Sequence, residues 1–531
     1  MRHLLFFSIC IAGFGAILGN LLQGDPFRAP LSFQSEAART PAFRDAGAAI
    51  DGEFAESWQS AGLEPAELAD DLTLIRRLSL ALTGTIPSFE EIRAFEAQPE
   101  GERIHWWLSY LFEDRRYSDY FAERLARAYV GVDNGPFLVY RRRRFVTWLS
   151  EQLQANIAYD QLVQRLITAK GIWTTNPEVN FFTATIDQNN KTGPNEIKLA
   201  ARTTRAFLGV RIDCVQCHDD FMGDRWKQKD FHGLAAFYAP ASMGNTGLHD
   251  TETPYEYQFR PGRDPEVVPP KAPFETSLRP DSGILREQLA DWVTHKENDA
   301  FARAICNRIW ALMFGVPLMD PVDSIPLDGP YAPGLELLAD DFVAHGYDLQ
   351  RLIRVIANTR PFRSGSESIS QQHEDAWAAF PHTRLRPEQV AGSVIQAASL
   401  STIDAESHIL VRLGRFGSQN DFIKRYGDAG EDEFDASGGT IPQRLLMMNG
   451  ELVHKKTKED LVTNAGTQIL AAAPSDAAVV ETTYLSLLTR RPSEAERDHF
   501  ETRLAEAEKR GNAMQDLYWA LINATEFSWN H

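Results

Sequence analysis

Apolar residues recur every three or four positions along most of this chain, and alternation of period two is scarce. Amphipathic helices produce the first pattern and half-buried strands the second. From Asp71 onward, Leu72, Ile75, Leu78 and Leu82 fall on one helical face. Gly84 ends that helix, and Ser88 with Glu91 forms a capping box for the next. The same spacing predicts helices near 103–113, 117–130, 143–155 and 159–168, a looser stretch at 172–192, and a helix from Asn195 to Leu208. A short helix covers Asp230 to Phe237. Residues 240–282 then turn loop-like, rich in Pro, Gly, Thr and Asp, with one strand signal at 255–259. Helices return at 284–295, 299–314, 333–345, 348–358, 387–400 and 441–455, and in the tail near 475–489, 493–510 and 511–525. The expectation is a mostly α protein of two helical domains joined by a loop-rich connection, with few or no strands.

The ends of these runs set the organisation. Residues 1–24 read as a signal peptide or membrane anchor: Met1-Arg2-His3 is followed by an apolar run from Leu4 to Leu22, about long enough to span a bilayer. No clean small-residue cleavage site precedes Asp25, and Ile9 sits where a lipoprotein signal at Cys10 needs a small residue. Export to the periplasm or cell envelope follows, with membrane attachment if the segment stays on. Residues 25–65, rich in Ala, Pro, Gly and polar residues, read as a tether. The two helical domains then occupy 66–275 and 276–531.

At 531 residues the chain is long enough for two cores. A net charge of −19 argues against a nucleic-acid partner. The one basic block, Arg141 to Arg144, reads as a solvated helix face. No nucleophile elbow, zincin or P-loop motif occurs.

Chemistry concentrates at Cys214-Val215-Gln216-Cys217-His218. This C-x-x-C-H spacing is the attachment signature of c-type haem. Cys214 and Cys217 would form the thioethers, and His218 would ligate the iron. Candidates for the opposite axial position are His232, Met222, His249 and Met243. A ligand there makes an electron carrier, whereas an open position permits haem-dependent oxidation. Two other readings use the same cysteines. Zinc would take Cys214 and Cys217 with His232 or His249. A Cys214–Cys217 disulfide would leave no cofactor at all. Nearby, Asp219 and Asp220 are candidates to carry a metal or to hold the haem ligand's Nδ1–H, with solvated surface the ordinary reading for at least one, and Asp224-Arg225-Trp226 reads as a structural clamp in which the two charges pair. Cys306, in an apolar helix, reads as a buried free thiol. The acidic loop Asp428–Asp435 suits a hard cation or plain solvation.

Several motifs resemble one family in the correct order. Leu74-Ile75-Arg76-Arg77-Leu78 through Pro87, the C-x-x-C-H motif with Asp224-Arg225-Trp226, and Phe231 to Phe237 resemble the first half of the planctomycete cytochrome-C-type paired domains of unknown function (DUF1549 and DUF1553). Asn307-Arg308-Ile309-Trp310, Phe342 to Leu349, Thr440-Ile441-Pro442-Gln443, Met448-Asn449-Gly450 and Leu521 to Phe527 are similar to the second half. The resemblance implies an envelope protein with a redox partner protein and an association with polysaccharide breakdown, hence carbohydrate. Many members carry a second His two residues after the motif, where this chain has Asp220. The expectation is an exported mono-haem c-type protein for electron transfer or haem-dependent oxidation. The alternative is a non-catalytic envelope scaffold or binding protein with the disulfide or a zinc site.

Overall fold

The computed structural model describes residues 40–132, 140–186, 193–220, 225–367, 370–404, 407, 419, 421–427, 434, 440–461 and 464–531. The predicted signal or anchor, the first part of the predicted tether, Met222, Asp224 and almost all of the acidic loop lie outside these residues. Among the described residues no helix is long and apolar enough to cross a membrane.

The protein is mostly α. In chain order the principal helices are α1 (Thr40–Ala61), α2 (Asp71–Thr83), α3 (Phe89–Glu96), α4 (Arg103–Glu113), α5 (Arg115–Val130), α6 (Arg142–Gln154), α7 (Tyr159–Ile167), α8 (Glu196–Phe207) and α9 (Gln228–Ala235). After the loop-rich connection come α10 (Leu285–Val293), α11 (Asp299–Phe314), α12 (Leu335–Ala344), α13 (Leu349–Asn358), α14 (Pro387–Ala397), α15 (Ile441–Asn449), α16 (Glu451–Thr457), α17 (Ala465–Ala472), α18 (Asp476–Leu488), α19 (Glu494–Glu506) and α20 (Arg510–Ile522). Strands are limited to three short antiparallel pairs: β1 (Ala241–Gly244) with β2 (Gly247–Asp250), β3 (Glu256–Tyr257) with β4 (Glu266–Val267), and β5 (Thr383–Arg384) with β6 (Trp529–Asn530).

Two elements depart from the sequence reading. Residues 40–61, placed in the tether, form α1. Its composition is small and polar, yet Phe43, Ile50, Phe54 and Trp58 recur at helical spacing and are all buried. Four large side chains on one face are enough to dock a helix whose other face stays in water. The predicted helix 441–455 is broken at Gly450, which caps α15 with extended backbone (ψ 148°) and opens α16.

Apolar side chains gather into two cores among the described residues. The first runs from Phe43 to Phe380 and takes the inner faces of α1 to α13. The second is built from residues 385–527, joined by Leu80 and Ile86. Helix α2 belongs to both. Ile75, Leu78 and Leu82 enter the first core while Leu80 enters the second. Between them Arg76 and Arg77 are almost fully buried and tie distant backbone together. Arg76 donates to the carbonyls of Leu487, Glu526 and Phe527. Arg77 donates to those of Phe362, Ser364 and His531, and its guanidinium lies 3.7 Å over the Phe380 ring. Helix α11 is the hub of the first core, buried from Ala300 to Phe314. Apolar side chains lie on every side of this helix, as befits an interior position, and Trp310 stacks on Phe314 at 4.4 Å.

Candidate functional site: the C-x-x-C-H turn

Helix α8 delivers the motif. Its Asn195 cap accepts from the Lys198 amide at 2.9 Å, which fixes where the helix begins. The helix stops at Gly209, whose φ of +61° reverses the chain. The Gly209 carbonyl accepts from the Ile325 amide at 2.7 Å, so the approach to the motif is bound to the loop that follows α11. Arg205 and Arg211 pin the same loop by holding Asp323 from both sides at 2.7 Å each. Burial pushes the Asp323 carboxyl up, but the two guanidiniums more than offset this and hold it below the usual carboxylate range.

The motif itself is a single 3₁₀ turn, Asp213–Gln216. Ile212 and Val215 are buried and anchor it, whereas Cys214, Cys217 and His218 are exposed. Both cysteines are free thiols. The His218 Nδ1 lies 2.8 Å from the Asp219 carbonyl. A carbonyl only accepts, so Nδ1 carries the proton and Nε2 is the basic nitrogen. That hydrogen bond is the backbone partner that a ligating imidazole commonly takes through its second nitrogen. The Asp219 carboxylate accepts from the Gln228 amide at 2.8 Å, at the first turn of α9. Asp219 therefore supports His218 through its backbone carbonyl and holds α9 through its side chain.

Behind the turn, Gln216 is the structural centre. Its carbonyl faces three donors: His232 Nε2 at 3.0 Å, Gln228 Nε2 at 3.0 Å and the Tyr257 hydroxyl at 3.4 Å. His232 is fully buried, and its Nδ1 lies 2.9 Å from the Tyr255 hydroxyl. Its ring stacks on Tyr257 at 3.5 Å between centroids. Burial pushes its pKa down, so it is neutral, with Nε2–H donating to Gln216 and Nδ1 accepting from Tyr255. His232, an expected axial or metal ligand, here has its ring nitrogens on a backbone carbonyl and a tyrosine hydroxyl. Both of its nitrogens are engaged, and it serves as the strut of the motif.

The remaining candidates are spread out. Met222 lies outside the described residues. His249 and Met243 belong to the β1–β2 hairpin, which bonds through Leu248 to Gly171 at 2.8 Å in both directions. Arg225 pairs with Asp328 at 2.5 Å; the expected pair with Asp224 lies outside the described residues. Trp226 packs against Phe274, which in turn meets Trp292. Among the described residues no three His, Cys, Asp or Glu side chains are grouped to hold a metal ion, so the zinc reading lacks a ligand set there. Cys306 is a buried free thiol, and burial raises its pKa far above the usual value. The basic block is only half solvated, because Arg142 turns inward to pair with both Glu123 oxygens at 2.8 Å.

What sequence reasoning missed is the cradle of Gln216. His232 and the aromatic residues at 255 and 257 were visible, but the burial of His232 was not, and the common acceptor is a backbone atom, which carries no sequence signal.

The chain was compared with known proteins. Residues 49–243 match PSCyt2, a protein family of unknown function (DUF1549), and residues 285–410 match PSD1, a second family of unknown function (DUF1553). No curated protein and no solved structure matches. The motif, the strut His232 and the hub helix α11 thus fall inside the two matched segments, and the chain belongs to the paired PSCyt2–PSD1 domain family.

Proposed function

We propose that the protein is an exported c-type haem protein of the cell envelope, with Cys214 and Cys217 as thioether anchors and His218 as proximal ligand. Its role is electron transfer with a partner protein or haem-dependent oxidation. The observation that carries this reading is the state of His218. Its Nδ1 proton is held by the Asp219 carbonyl, and the imidazole is exposed beside two free, exposed thiols on one turn. The donor set fits the group: two accessible thiols for covalent attachment and one imidazole oriented through its second nitrogen. When bound, haem would supply the redox centre. The chain's own part is to hold the turn rigid, through Val215 packing and the donors on Gln216. The residues that would hold the group are Cys214, Cys217 and His218, while His232 braces the turn from behind.

The test is export of the full chain in a host with haem-attachment machinery. The expected result is a Soret band and one haem mass that survives denaturation, lost in the C214S, C217S double variant. Apoprotein with neither signature, produced alongside a control cytochrome that is loaded, would overturn the reading. Carbon monoxide binding to the reduced protein then separates an open oxidation site from a closed carrier.

A second reading rests on the same exposed pair of thiols. A Cys214–Cys217 disulfide would leave a non-catalytic scaffold, recognised as a mass two hydrogens lighter than the reduced chain.

A further inference from the structure

Helix α15 is docked by one face only. Met447 enters the second core, Leu446 packs against it, and the Gln443 side chain donates to the Tyr426 carbonyl at 2.8 Å. The opposite face carries Ile441, Leu445 and Met448, at the four- and three-residue spacing of one helical stripe. These side chains are 77%, 51% and 39% exposed. Trp519 of α20 closes the far end of the stripe. Its indole N–H donates to the Met448 carbonyl at 3.1 Å, while the residue stays 39% exposed. Single exposed apolar side chains need no explanation, but a stripe of three ending on an indole does.

The charge around the stripe has a sign. Arg444, exposed, falls on the same helical face, three residues from Ile441 and four from Met448. From Thr440 to Lys458, α15 and α16 carry Arg444, Lys455, Lys456 and Lys458 against Glu451 alone, in a chain of net charge −19. Glu451 is taken by Lys455 at 2.6 Å. Asp516, one turn before Trp519, pairs with Arg503 at 3.7 Å. The next acid in the chain, Glu459, lies against Gly511, where a Cβ would come 3.0 Å from its carboxylate, more than two turns of α20 away from Trp519. The stripe thus holds a cation of its own and adjoins a basic stretch of an otherwise acidic molecule.

Three apolar side chains, an arginine and an indole on one face suit a helix lying in the headgroup layer of a membrane. The apolar stripe enters the acyl boundary, the Trp ring sits at the interface, and the guanidinium meets lipid phosphates. A stable protein interface takes roughly 20–30 residues a side, far more than this stripe offers. The apolar run from Leu4 to Leu22, read as a signal or anchor, points to the same surroundings.

We propose that Ile441, Leu445 and Met448, with Arg444 and Trp519, form a docking face for an anionic phospholipid surface and hold the second core against it. The face acts independently of haem attachment at Cys214 and Cys217 and of whether residues 1–24 stay on the chain.

The experiment mixes the full chain with vesicles of phosphatidylcholine carrying brominated acyl chains, with or without phosphatidylglycerol. Bromine quenches an indole only at close range, so the difference between wild type and Trp519→Phe reports contact at this face even where another part of the chain also binds the vesicle. The expected result is quenching of the Trp519 emission that grows with phosphatidylglycerol and is reduced by Arg444→Gln. The double variant Ile441→Gln, Leu445→Gln changes only exposed groups, so it should fold as wild type and weaken the vesicle affinity read from this signal by about tenfold or more. Trp519 left unquenched in phosphatidylglycerol vesicles, quenching equal without that lipid, or quenching unchanged in the double variant overturns the proposal. Dimerisation of the lipid-free protein in sedimentation, abolished by the double variant, also overturns it, because the face then belongs to a second copy of the chain.

Discussion

His232 Nε2 sits 3.0 Å from the carbonyl oxygen of Gln216, the residue immediately before Cys217. A buried histidine thereby donates to the backbone of the turn that carries the two thiols. Replacing it with Phe keeps the ring stack on Tyr257 but leaves the Tyr255 hydroxyl without its partner. Loss of a buried hydrogen bond of this kind costs about 1–3 kcal/mol. We expect His232→Phe to fold with that loss in chemical denaturation, and to raise hydrogen exchange around residues 213–218. Unchanged exchange there would show that Gln228 and Tyr257 hold the turn alone.

Acid sensitivity should come in part from His105. Burial, with Arg44, Arg354 and Arg363 nearby, pushes its pKa from 6.5 down to about 4. The unfolded chain takes up this proton near 6.5 and the folded chain resists it. The contribution of His105 is therefore complete above 6.5 and is lost as pH falls toward 4, below which both states are protonated. The span corresponds to a stability loss on the order of 3 kcal/mol. Its Nδ1 has no hydrogen-bond partner, so His105→Leu should flatten the stability profile between pH 6.5 and 4 relative to wild type. Parallel profiles for the two proteins would remove His105 from the account.

Arg77 should be intolerant even of lysine. Its guanidinium reaches three carbonyls and covers the Phe380 ring, a planar fork that a single ammonium cannot reproduce. Arg77→Lys is expected to destabilise by roughly 3 kcal/mol or more, since each buried acceptor left bare costs about 1–3 kcal/mol. Urea unfolding at neutral pH measures it. A loss under 1 kcal/mol would mean that water replaces the fork.

Gly392 offers a case where helix propensity and packing disagree. Alanine is the better helix former by about 1 kcal/mol. A Cβ at this position of α14, however, would meet the Gly84 carbonyl oxygen at 2.5 Å. Gly84, at φ +68°, ends α2, so this is where helices of the two cores touch. Gly392→Ala is expected to lower the melting temperature, with a net cost of about 1–3 kcal/mol from overpacking. A higher melting temperature would show that α14 can shift away.

Much of this architecture was legible because helical spacing survives without context. The predicted starts at Asp71, Arg103 and Tyr159 and the capping box at Ser88 all appear. Helix α1 was illegible because its apolar face is four residues scattered through Ala, Gly and polar positions, and only a docking surface reveals their common side. At the motif, the spacing of Cys214, Cys217 and His218 singled out the candidate site, and the exposure of all three could not be read from it. The partners of His232 were illegible for a physical reason. They are a main-chain oxygen and a tyrosine hydroxyl brought in from residue 255, neither of which the spacing around the motif reveals.

The first core takes α11 and α13, from the second family match, together with α1 to α9, and Arg77 then stitches α2 to residues 362, 364 and 531. A break in the gene at the loop-rich connection would therefore leave two products with raw apolar faces, neither a sound molecule. Trp310 and Phe314 would be stranded on one side and Phe54 on the other. In this chain each matched segment is scaffolding for the other's interior.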